Sequence, residues 1–217
     1  MPSAYRRERG GGAVDPRELY RFDRLARDWW DPAGPMRPLH RINPLRLGFV
    51  RDEVCGAFAR DPRAPFPLRG LHVLDVGAGA GLLSEPVCRM GAEVTGLEPA
   101  AAVLDVARRH AAESGVPVRY RPDTVEAVAA EGAAFDVVLA MEVVEHVPDV
   151  DRFVAACAAA LRPGGLLLLA TLNRTLRSFA LAIVGAEYVL RWLPRGTHDW
   201  EKFVTPAELR SASERAS

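Results

Sequence analysis

The stretch MEVVEHVPD, from Met141 to Asp149, gathers Glu142, Glu145 and His146 within five positions directly after the apolar run FDVVLA. Spaced i, i+3 and i+4, the three side chains share one face if the segment turns as a helix. Two carboxylates and an imidazole then suit a divalent cation, Mg2+ where oxygen ligands dominate or Zn2+ where the imidazole does. A cation there would lower the pKa of a hydroxyl bound beside it. Two other readings stay open. His146, with Glu142 nearby, has the chemistry of a general base, since an imidazole titrates close to working pH. Alternatively, Glu142 and Glu145 are ordinary first-turn acids favoured by a helix dipole, and His146 only packs.

A second constellation lies upstream. GAGAG, with glycines at 77, 79 and 81, follows the apolar run LHVLDV, where a glycine turn lets backbone and ligand approach closely. The dinucleotide fingerprint needs its third glycine at position 82, which is Leu82. That spacing disfavours a pyrophosphate, and no GK[ST] follows to hold a triphosphate. S-adenosylmethionine fits better, because it has no phosphate and presents a ribose that Glu98, at the end of the next apolar run, could bind through both hydroxyls. Asp123 stands where an adenine edge would lie.

These residues need a frame. Beyond Arg69 the chain alternates LHVLDV, LLSEPVCRM, AEVTGL, PAAAVLDVARRHAAES, PVRYR, a short helix, FDVVLA, DRFVAACAAAL and LLLLAT. This is the alternation of a Rossmann-like α/β fold, a mostly parallel sheet with helices on both faces. Ahead of it, Asp15 and Pro16 begin one helix through Trp30, and Asn43 as cap with Pro44 at the first position begins another. The expected organisation is a disordered tail over 1–14, a helical cap over 15–68 and a ligand-binding core over 69–217. With 49% hydrophobic and 26% charged residues, and 28 basic against 28 acidic side chains, the chain carries no global field that would draw it to nucleic acid. Cys55, Cys88 and Cys157 form neither a CxxC nor a metal spacing, which suits a reducing compartment.

DWWDPAGPMRPLHRINPLRLGFV, MEVVEHVPD, TLNRT and VGAEYVLRWLPRGTHDWEKFVTPAEL together resemble the ubiquinone-biosynthesis O-methyltransferases, a family of class I S-adenosylmethionine-dependent methyltransferases. The resemblance runs from about Phe22 to about Leu209 and implies methylation of phenolic hydroxyls on polyprenylated ubiquinone precursors. It also implies cofactor contacts at Arg46, Gly77, Glu98 and Met141, with Gly79 in the same loop, and it favours the metal reading of Glu142, Glu145 and His146. In this family Asp is usual at the place of Glu98. The family continues beyond PAEL into the last antiparallel strands of its sheet, so those strands are expected to be missing here. An inactive cofactor-binding or scaffold protein of quinone synthesis, or a methyltransferase of a soluble phenol, are the alternatives.

SFALAIVGAEYVLRWLP, near 174–195, is bordered by arginines, and as a helix its 15 residues from Phe179 to Leu193 cover about 22 Å, short of the ~30 Å hydrocarbon core. A polyprenyl substrate favours an interfacial helix on an anionic membrane. The expected place is therefore cytoplasmic, peripheral on the inner face of the membrane, with other quinone-synthesis proteins as further partners.

Overall fold

The computed structural model describes residues 28–171 and 204–216. The first expected helix, up to residue 27, and the arginine-bordered segment near 174–195 lie outside the described residues. The described elements are α1 (Arg37–Ala57), β1 (His72–Val76), α2 (Ser84–Arg89), β2 (Glu93–Leu97), α3 (Ala101–Glu113), β3 (Arg119–Arg121), α4 (Val125–Ala130), β4 (Phe135–Met141), a 3-10 turn (Val144–His146), α5 (Val150–Ala159), β5 (Leu161–Ala170) and α6 (Pro206–Ala216).

The five strands form one sheet in the order β3-β2-β1-β4-β5, and every pairing is parallel. Apolar runs without polar alternation bury both faces. Val73, Val94, Val137, Leu139 and Leu168 meet Val50 and Val54 of α1 and Val87 of α2. Their strand neighbours Leu74, Val76, Leu97, Val138 and Ala140 point the other way, onto Val125, Val128, Phe153, Val154 and Cys157. β1 and β4 lie innermost, with Leu74 and Leu139 fully buried.

One local expectation differs from the structure. The helix expected to start at Pro44 starts instead at Arg37 and runs through Pro44. Proline forfeits one backbone bond there, and tertiary contacts hold the helix: Asn43 donates from Nδ2 to Leu82 O (2.7 Å), and His40 Nε2 lies 2.9 Å from Trp29 O. The PGG at 163–165 lies inside β5, where the pairing slips between Phe135↔Leu161 and Val137↔Leu166. Asp136 pins this bulge, accepting from His72 N (2.7 Å) and Arg162 Nη1 (2.8 Å). At α6 a capping box forms: Thr205 N donates to Glu208 Oε2 (2.7 Å) and Glu208 N to Thr205 Oγ1 (3.3 Å).

Gly48 lies within α1 with nothing close to where a Cβ would sit. Gly48→Ala is therefore expected to stabilise the fold by about 0.5–1 kcal/mol through the lower entropy of the unfolded chain. Urea unfolding of the two proteins measures it.

Candidate functional site

Parallel strands deliver their following residues to one edge of the sheet, and a break in apolar character there marks the chemistry. Gly77, Glu98 and Met141 stand at the ends of β1, β2 and β4. They line one cleft together with Arg46, Asp75, Gly79, Trp29 and Glu142.

The glycine loop shapes its floor. Gly77 has φ +69°, and a Cβ there would lie 2.6 Å from Val143; at Gly79, with φ +55°, it would lie 2.7 Å from the Trp29 ring. Both positions therefore need glycine for conformation and for space. Glu98 is buried, and its carboxylate ties the loop to the next helix by accepting from Gly79 N (Oε2, 3.1 Å) and Ala100 N (Oε1, 2.8 Å). A carboxylate offers about four lone-pair sites, so acceptor capacity remains for ribose hydroxyls.

On the opposite wall Arg46, only 10% exposed at its side chain, places Nη2 2.5 Å from Glu142 Oε2 and donates to Met141 O (3.3 Å). The ion pair is close but not aligned as a hydrogen bond, because Arg46 Nε and Glu142 Oε2 are buried without a hydrogen-bond partner. Glu142 itself has φ +55°, a left-handed conformation that costs a non-glycine residue on the order of 1–3 kcal/mol and concentrates at functional sites. Burial pushes its carboxyl pKa up, Arg46 opposes the rise and Glu145 adds to it. Asp75, wholly buried, accepts from Ser84 Oγ (2.5 Å), and burial pushes its pKa up to about 6. Orphaned cationic and anionic groups beside a glycine cradle and a buried carboxylate after β2 suit a ligand of the chemistry of S-adenosylmethionine.

The acidic trio corrects an expectation. Glu142, Glu145 and His146 do not share a helical face, because the left-handed Glu142 breaks the segment before the short 3-10 turn. Glu142 turns toward Arg46, while Glu145 is buried and accepts from Thr171 Oγ1 (3.0 Å). Among the described residues no group of three or more His, Cys, Asp or Glu side chains is placed to hold a metal ion, and in this arrangement the trio does not fit one. His146 donates its backbone N–H to Val143 O (2.9 Å), and neither it nor Glu145 lines the cleft. Asp123 is also outside it: its carboxylate accepts from Arg121 Nε (2.7 Å).

Sequence reasoning missed Trp29 and Asp75. An acid inside the otherwise apolar run LHVLDV was a signal, whereas Trp29 looked like one more residue of a helix face. The neighbouring Trp30 donates from Nε1 to Ala80 O (3.0 Å) in the glycine loop and stacks on His110, with centroids 3.5 Å apart and planes 6° apart. Behind it His110 Nδ1 lies 2.7 Å from the buried Glu85 Oε1.

A methyltransferase domain model matches residues 74–169. The ubiquinone biosynthesis O-methyltransferase of Methylobacterium nodulans is 63% identical over 209 residues, 96% of this chain and 84% of the relative. That of Methylocella silvestris is 56% identical over 214 residues, with 96% and 84% covered. In fold the chain resembles the magnesium protoporphyrin IX methyltransferase of Synechocystis PCC 6803, at TM-score 0.51 and 23% identity over 70% of this chain and 74% of that one. It also resembles the [4+2]-cyclase SpnF, at TM-score 0.56 and 21% identity over 77% of this chain and 55% of that one.

Proposed function

The chain belongs to the ubiquinone-biosynthesis O-methyltransferases and uses S-adenosylmethionine, and from that premise we propose that it methylates phenolic oxygens of polyprenylated ubiquinone precursors. The two steps proposed are those on 2-polyprenyl-6-hydroxyphenol and 3-demethylubiquinol. The observation that carries the reading is the single cleft in which Arg46, Gly77, Gly79, Glu98, Met141 and Glu142 meet.

When bound, S-adenosylmethionine supplies an electrophilic methyl on a sulfonium whose leaving group is a neutral thioether. The protein then has to seat the donor, hold the phenol in line about 3–3.5 Å from the methyl, and remove a proton. In this proposal Arg46 pairs with the donor carboxylate, Gly77 and Gly79 admit its chain, and Glu98 accepts from the ribose hydroxyls. The Met141 thioether packs against the adenosyl group, and the base proposed for the phenolic proton is His146, which stands outside the donor cleft on the 3-10 turn that follows Met141 and Glu142. No step is routed through a metal.

Contact with an anionic membrane is part of the same reading. Besides the arginine-bordered segment, α1 exposes Ile42, Leu45 and Phe49 at i, i+3 and i+7, one apolar stripe, with Leu45 75% exposed. No helix among the described residues is long and apolar enough to cross a membrane. The full chain, given S-adenosylmethionine and a 3-demethylubiquinol analogue, is expected to release S-adenosylhomocysteine and the singly methylated product; release without a methylated ring would overturn the reading. Flotation with anionic vesicles is expected to carry the protein upward and Leu45→Asp to weaken it several-fold. Equal activity on a soluble phenol, with no gain from a prenyl tail and no flotation, would favour a soluble substrate instead.

A further inference from the structure

The Arg46–Glu142 pair is built unlike a structural salt bridge. A buried ion pair stabilises when its remaining donors and acceptors are also satisfied, yet this one leaves Arg46 Nε and Glu142 Oε2 without hydrogen bonds, on the wall of the cleft. Glu142 is also held in a left-handed backbone conformation that places it against Arg46, 2.5 Å from Nη2. A bare anion site would keep the arginine and place no acid beside it.

We propose that Arg46 and Glu142 form a clamp for a zwitterion, in which Arg46 receives the α-carboxylate of the methyl donor and Glu142 its α-ammonium. The inference rests on the cofactor reading above and extends it to the amino group. In the free protein each side chain serves as the other's counter-ion, so neither charge is buried alone. An α-amino acid carries both charges on one carbon, and inserting it replaces one poorly aligned pair by two pairs that use the idle donor and acceptor. Glu142 thereby becomes a specificity residue, selecting a donor with a free amino group over one without it.

Asp75 is the competing ammonium acceptor in the same cleft, although its carboxyl already accepts from Ser84 Oγ. A second possibility is that Glu142 merely occupies Arg46 until a ligand displaces it. The two roles of Glu142 predict opposite signs.

Calorimetry on the full chain separates them, using S-adenosylhomocysteine, its deaminated analogue, and 5′-methylthioadenosine, which lacks the amino-acid end. Glu142→Gln is expected to weaken S-adenosylhomocysteine by about 10- to 100-fold, the worth of one charge-assisted hydrogen bond. It should leave 5′-methylthioadenosine unchanged, which also reports that the variant is folded, and should leave the deaminated analogue unchanged or tighter, because its carboxylate no longer strands a buried acid when it takes Arg46. Unchanged or tighter binding of S-adenosylhomocysteine, or an equal loss for it and the deaminated analogue, would overturn the clamp. So would loss of discrimination in Asp75→Asn but not in Glu142→Gln. If the unaltered protein binds none of the three, the cofactor reading falls and takes the clamp with it; if it binds them and only the discrimination is missing, the clamp alone falls.

Discussion

Asp75→Asn is expected to raise the unfolding free energy at pH 8 by on the order of 2–3 kcal/mol and to change it little at pH 3.5. Asp75 is fully buried, and burial raises its pKa from 3.8 to about 6. A raised folded-state pKa means that the folded protein holds its proton more tightly than the unfolded chain does. The associated stability is complete below pH 3.8 and is lost as pH rises through about 6, at roughly 1.4 kcal/mol per pKa unit. Asparagine keeps an oxygen for Ser84 Oγ and carries no charge, so it is spared the loss. Urea unfolding of both proteins at several pH values between 3.5 and 8 measures the difference, and a gap that does not widen through that window would contradict the assignment. A group that is costly at working pH and lies in the cleft is retained at the expense of stability, the usual exchange at a functional site.

Glu98→Ala is expected to remove detectable S-adenosylhomocysteine binding and to destabilise the fold by about 2–5 kcal/mol. Its carboxylate receives Gly79 N and Ala100 N in a buried setting. Deleting it leaves two buried N–H groups unmatched, each worth about 1–3 kcal/mol, and frees the glycine loop from the start of α3. Glu98→Gln retains one acceptor and the side-chain volume, so it should recover most of the stability while binding stays weakened. Parallel unfolding and calorimetry of the two variants check this, and full binding in Glu98→Ala would exclude Glu98 from the site.

The legibility of the chain follows from how local each signal is. Apolar runs such as VVLA and LLLLA marked strands buried on both faces, and GAGAG and Glu98 fell at strand ends because parallel order forces them there. Pro44 misled because a proline after Asn43 is locally a good helix start, whereas the contacts of His40 and Asn43 with Trp29 and Leu82 decide the real boundary. No local pattern encodes those partners. Glu142, Glu145 and His146 were read with an ideal 3.6-residue period, and a single left-handed residue at 142 removed that period. Its cause is tertiary as well, since Glu142 faces Arg46, 96 positions upstream. The PGG follows the end of α5 at Ala159 and is taken up in β5 as a bulge held by Asp136.

The tryptophan pair at the glycine loop has an optical consequence. Trp29 lines the cleft and Trp30 is stacked on His110 while bonded to Ala80 O, and these are two of the chain's four indoles. Indole emission shifts with the polarity around the ring and is quenched by a stacked neighbour. A ligand entering the cleft comes to lie beside the Trp29 ring and the glycine loop to which Trp30 is bonded, so indole emission is expected to report its arrival. The protein thus carries an unlabelled spectroscopic probe at its own cleft, and a tryptophan emission titration reads occupancy without any turnover.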